Sequence, residues 1–223
     1  MKRNQSGFTL IEIAIVLVII GLLLGGVLKG QELINSAKVK NLATDFRNIP
    51  LFIYGYQDKF RSLPGDDAQA DTHVAGGKVA TTWTTTSGVA ASGTIDGVWD
   101  SDQGTEESIL FWQHVRLANL AAGPTAQPTT SALVAAFVPT NAVGGRVGIS
   151  SRAPISGMTG SYFICSSAID GKFASQLDIT MDDGASNKGS MQATVFTAGP
   201  TTTAPSATTT LTAGTTYTVC LAL

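Results

Sequence analysis

Charge is scarce in this chain. Only 13% of its 223 residues are Asp, Glu, Lys or Arg, and the formal net charge is -2. A protein that neutralises many phosphates needs a basic surface, so this balance argues against non-specific nucleic-acid binding. Histidine is scarcer still. His73 and His114 stand alone, and His114 reads as a surface or core-edge residue on a helix beside Trp112. Ser and Thr are plentiful, but no Ser/His/Asp or Cys/His spacing brings a nucleophile to its base, so the sequence predicts no enzyme. No internal repeat is visible. The two cysteines, Cys165 and Cys220, have a disulfide open to them if the domain is exported. Closing a loop of about 55 residues would contribute roughly 4 kcal/mol in the chain-entropy model. Two buried thiols are the other reading.

What the chain does have is one long apolar run. Phe8–Leu28 holds about 21 residues, roughly 31 Å of helix, close to the hydrocarbon thickness of a bilayer. A secretory signal peptide has a shorter core with a small-residue cleavage site after it. Here the small residue, Gly7, precedes the run, so the helix is expected to stay with the mature protein. Lys2 and Arg3 place the N-terminal end in the cytoplasm. Within the run stands a single carboxylate, Glu12. An ionisable group there costs about 2.5–3.5 kcal/mol on insertion scales, so it is a functional candidate by default.

Helical periodicity continues past the run. Leu33, Ile34, Val39, Leu42, Phe46, Ile49, Ile53, Tyr56 and Phe60 recur at helical spacing, which predicts one helix from about Phe8 to Arg61 with an amphipathic second half. Tyr54, Tyr56 and Phe60 read as core. Pro50 is expected to kink this helix or remove a hydrogen bond. Leu63-Pro64-Gly65-Asp66-Asp67 is its stop. The organisation is therefore a leader at 1–7, a membrane helix at 8–28, its amphipathic continuation at 29–61 and a head at 62–223.

In the head, Asp71–Asp102, with a Thr/Ser run around Trp83, reads as an extended loop. Thr105–Leu120 reads as an amphipathic helix ended by Gly123-Pro124. Leu133–Val138, Val147–Ile149, Tyr162–Ile164, Met191–Thr197 and Thr215–Leu221 read as strands. Phe173–Met181 fits a short helix better than a strand. Ala198–Gly214, rich in Thr and Pro, reads as a loop, and O-linked sugar on Thr197–Thr216 is a weaker reading than a bare exposed loop. The fold class is α+β, a long N-terminal helix packed on a small antiparallel sheet of about four strands. Asp178, Asp182 and Asp183 beside Gly184 offer the oxygen ligands that calcium takes. An Asp-Asp-Gly group is more often a turn with solvated charges. Asp66-Asp67 is a weaker calcium candidate, and no other cofactor is implied.

The run Gly7-Phe8-Thr9-Leu10-Ile11-Glu12, behind its basic leader, resembles the prepilin signature of type IV pilins and type II secretion pseudopilins. Tyr54–Asp67 resembles the tyrosine-rich helix exit and Leu-Pro-Gly-Asp turn of a pilin subfamily. Glu106–Gly123, Leu177–Gly184 and a cysteine near the C-terminus are also similar to those proteins. One departure is the absence of a proline soon after the membrane segment, where many major pilins carry one. The resemblance implies cleavage between Gly7 and Phe8 by an inner-membrane prepilin peptidase, which also N-methylates Phe8. It implies a pilin-like head and a helical polymer of like subunits, in which the new ammonium of Phe8 meets Glu12 of a neighbour. The implied partners are that peptidase and methyltransferase, the inner membrane, and an assembly platform with its ATPase. The implied location is a single pass of the bacterial inner membrane, then an extracellular pilus or a periplasmic pseudopilus. A major pilin subunit is the first reading, and a pseudopilin or minor pilin the nearest alternative. A signal-anchored periplasmic binding protein or enzyme is the alternative of another class.

Overall fold

A computed structural model describes residues 10–81 and 91–223. Its first element, α1, is a helix of 51 residues, Leu10–Phe60. The chain divides into two compact units, Met1–Lys38 and Val39–Leu223, and α1 contributes to both.

In the first unit every residue from Leu10 to Lys29 is exposed. Most are large and apolar, and even Ile13 remains 48% accessible. A helix apolar on all sides belongs in hydrocarbon or inside a larger protein core. Among the described residues α1 is the one helix long and apolar enough to cross a membrane. The amphipathic half begins later than its spacing predicts. Leu33 and Ile34 are exposed, and burial starts at Val39.

In the second unit α1 buries Val39, Leu42, Ala43, Phe46, Ile49, Ile53 and Tyr56, a stripe at intervals of three and four. Six of these join one core cluster with Ile109, Phe111 and Trp112 and with Val147, Ile149, Ile164 and Val219. Tyr54, expected in the core, is 66% exposed on the opposite face. Pro50 lies within α1 and does not end it. The helix ends through Arg61, whose φ of 57° is left-handed while its N–H donates to the Gln57 carbonyl at 2.9 Å.

A four-stranded sheet, order β1-β2-β4-β3, completes the core. Its strands are β1 (Val147–Ser150), β2 (Phe163–Asp170), β3 (Met191–Val195) and β4 (Thr216–Ala222), all paired antiparallel. The architecture is α+β and pilin-like, a long N-terminal apolar helix with a small antiparallel sheet. β2 extends beyond the expected Tyr162–Ile164 because a bulge between Ser166 and Ile169 lets it resume pairing with β4. Asn141 props that bulge, donating from Nδ2 to the Ser166 hydroxyl and the Ser167 carbonyl, both at 2.8 Å.

The remaining helices are α2 (Ala70–His73), α3 (Glu107–Leu117), α4 (Ser131–Phe137) and α5 (Gly171–Met181). Leu133–Val138, expected as a strand, is α4. Thr130 caps it by accepting the Leu133 N–H at 3.3 Å, and only Val134 and Phe137, three apart, are buried. The Asp71–Asp102 loop contains most of α2, and the run around Trp83 lies outside the described residues. The stop of α3 is Asn119, not Gly123-Pro124. Asn119 has φ 61°, and the N–H groups of Asn119 and Leu120 return to the carbonyls of Arg116 and Val115.

Candidate functional site

Two features of the N-terminal unit bear on function. Glu12 falls in the first turn of α1, on the exposed apolar stretch. Among the described residues nothing lies within 4 Å of the position a Cβ would take at Gly21, Gly25, Gly26 or Gly30, so none of those residues requires them to be small. Small residues on a membrane helix permit close approach of another helix. Gly7 and Phe8 lie outside the described residues.

In the head, the exit of α1 is locked by polar side chains. Tyr56 Oη donates to Asp67 Oδ2 at 2.7 Å, and His73 Nδ1 meets the same oxygen at 2.7 Å. Asp67 Oδ1 accepts the Gln69 N–H at 2.9 Å. Burial alone would raise the Asp67 carboxyl, but His73, Tyr56 and the Gln69 amide together hold it below the usual range. Asp66 accepts from the amides of Ser92 and Gly93 at 2.9 and 2.7 Å, and burial, the largest influence, still pushes its carboxyl up. Both aspartates thus hold this turn together. Gly65, with φ 94°, presses against the Glu107 carbonyl, and its N–H donates to His114 Nδ1 at 2.9 Å.

His114 is therefore not at the core edge. It is fully buried, and its Nε2–H donates to the Lys78 carbonyl at 2.8 Å. Desolvation pushes its pKa down, opposed by that hydrogen bond and by the charge of Asp67. Its neighbours share this character, because α3 is buried on nearly all sides rather than along one face. Gln113 accepts the Lys78 N–H and donates to the Thr125 carbonyl. Arg116 Nη1 donates to the carbonyls of Pro124 and Phe137, and burial lowers its pKa to about 10. Glu107 accepts the Asp96 N–H at 2.7 Å. Loops on either side use the polar face of α3 as a scaffold for their own backbone groups.

Cys165 and Cys220 form a disulfide. They face each other in the register of β2 and β4 and are fully buried beside Trp99, Ile155, Met158 and Phe163. The bond thus joins the two central strands of the sheet.

Asp178, Asp182 and Asp183 are brought together, with one carboxylate oxygen from each within 4.8 Å of the others. Asp178 lies in the last turn of α5 and is only 3% exposed. Desolvation, then the charges of Asp183 and Asp182, raise its pKa to about 6. Asp66 and Asp67, the weaker calcium candidate, spend their oxygens on the turn instead.

Residues 2–28 match the family model described as the prokaryotic N-terminal methylation motif. The match supports a type IV pilin- or pseudopilin-type prepilin. The match covers the basic N-terminal residues and the apolar half of α1, and it ends before Val39–Leu223. No curated protein and no solved structure matches the chain significantly. The motif suggests a structural protein, and the apolar helix is consistent with membrane anchoring before assembly. The motif also implies processing by a prepilin peptidase.

Proposed function

We propose that this protein is a structural subunit of a type IV pilus-like filament. Prepilin peptidase cuts between Gly7 and Phe8 and methylates the new amino terminus of Phe8. Losing Lys2 and Arg3 takes the formal charge from -2 to -4, two positive charges fewer. The observation that carries the reading is α1 itself. It bears a methylation motif and an exposed apolar surface over Leu10–Leu28, and the same helix then becomes part of a packed head.

Cleavage supplies the chemistry of assembly. The ammonium of Phe8 in one subunit meets the Glu12 carboxylate of a neighbour inside the filament core. Neither charge is tolerable there alone, so a subunit out of register is penalised. Burial of the apolar helices favours polymer over a free subunit in water. Inside the bilayer that drive is small, so an assembly platform and ATPase must extract the subunit from the inner membrane. The filament then lies outside the cell.

Mass spectrometry of the mature protein tests the processing step. The reading expects a chain that begins at methylated Phe8. A chain that keeps its leader and an unmethylated terminus favours a signal-anchored periplasmic binding protein or enzyme. A pseudopilin or minor pilin shares the processing, and is separated by the absence of long extracellular filaments made chiefly of this chain.

A further inference from the structure

The acidic group at the end of α5 is unexplained by polymerisation through α1. Asp178 is the informative member. It is 97% buried by its 3% exposure, and neither of its carboxylate oxygens has a hydrogen-bond partner. A buried carboxylate without donors is unstable as an anion. A shared proton does not resolve this, because Asp178 is hydrogen-bonded to neither Asp182 nor Asp183. No basic side chain resolves it either, because among the described residues no lysine or arginine pairs with Asp178. The helix adds to the difficulty. Asp178 and the C-cap residue Asp182 stand at the negative end of α5, whose last turn contains no basic residue.

The other two aspartates are positioned to share a ligand. Asp182 Oδ2 accepts the Met191 N–H at 2.8 Å, at the first residue of β3. Asp183 Oδ1 accepts the Ala185 N–H at 2.8 Å. These bonds fix both side chains and leave each a second oxygen. Gly189, with φ 70°, lies where any Cβ would strike the Asp182 carboxylate, so the loop leaves room for that carboxylate.

We propose that Asp178, Asp182 and Asp183 form a calcium site that ties the C-terminal end of α5 to the start of β3. The donors are all hard oxygens. One oxygen from each aspartate lies within 4.8 Å of the others, within the span of two calcium–oxygen bonds of about 2.4 Å. The remaining positions belong to water and to carbonyls at the helix end. This site is independent of the filament reading, since it concerns the head alone.

Calorimetric titration of the full-length, disulfide-bonded protein in detergent tests it, after removal of metals with a chelator. Calcium chloride is expected to bind once per chain, in the range of about 0.1–1 mM typical of extracellular modules. Asp178→Asn and Asp183→Asn are each expected to weaken binding by at least about tenfold, while circular dichroism shows the fold retained. Magnesium chloride is the control and should bind more weakly. Absence of calcium binding at about 10 mM, ten times the upper end of that range, would overturn the proposal. So would unchanged affinity in Asp178→Asn, or a gain in thermal stability of Asp178→Asn together with no calcium response in the natural chain. The last result would mark Asp178 as a neutral buried acid.

Discussion

Glu12 is costly in a membrane, and in the proposed filament it pairs with a neighbour's amino terminus. Its removal should spare cleavage, because the proposed cut falls between Gly7 and Phe8 and the proposed pair forms only later. Glu12→Ala is therefore expected to yield a processed chain of normal mass but few filaments, since an ammonium left alone in the core costs about 3–5 kcal/mol per subunit. Wild-type filament yield from that variant would remove the pairing from the account. In the head, Gly65 occupies a left-handed conformation, and a Cβ there would come within 2.5 Å of the Glu107 carbonyl. Gly65→Ala should cost about 1–3 kcal/mol from backbone strain alone, read as a lower melting temperature. An unchanged melting temperature would show the turn to be looser than described. His114 adds a pH dependence. Its folded pKa is depressed by burial, so the unfolded chain takes up a proton that the native state refuses. Stability is then fully present above the unfolded value of about 6.5 and falls as pH drops below it. Thermal unfolding between about pH 7.5 and 5.5 should show this loss, and His114→Gln should flatten it. An equal slope in both proteins would assign the effect elsewhere.

The elements differ in how plainly their residues announce them. α1 was readable almost to its ends, because an unbroken apolar run and a stripe at three and four residues have no rival interpretation. Its side chains were less readable. Leu33 and Ile34 carry the same signal as Val39, but only Val39 has a partner in the core, and that depends on where the head begins. α3 misled for the opposite reason. Gln113, His114 and Arg116 look like a solvent face, and they are buried because loops distant in sequence lay their backbone groups against them. α4 reads as a strand from its residues because a short apolar run has no period. The Thr130-Ser131 cap was the available signal. The acidic group near Gly184 was visible as a pattern, whereas the burial of Asp178 depends on the packing of α5 against the sheet. The disulfide was a pairing of the only two cysteines, and its place between central strands came from register. Replacing both with alanine opens a 55-residue loop and is expected to cost roughly 4 kcal/mol. Denaturant unfolding of the double variant measures this, and a loss under about 1 kcal/mol would mean that the denatured chain is already constrained there.

The whole molecule divides its labour between its two units. Val39–Leu223 has a core, a disulfide and a locked turn of its own, while the described part of Met1–Lys38 presents exposed apolar side chains. That surface suits a bilayer before assembly and like helices after it. The methylation motif fits the proposed sequence of states, in which the new amino terminus exists only once residues 1–7 are removed. The most direct test is the composition of filaments sheared from cells that produce this protein. The account predicts fibres visible by electron microscopy whose main component is this chain, beginning at methylated Phe8. A chain found only in the membrane with residues 1–7 still attached, and no filament containing it, would contradict the account.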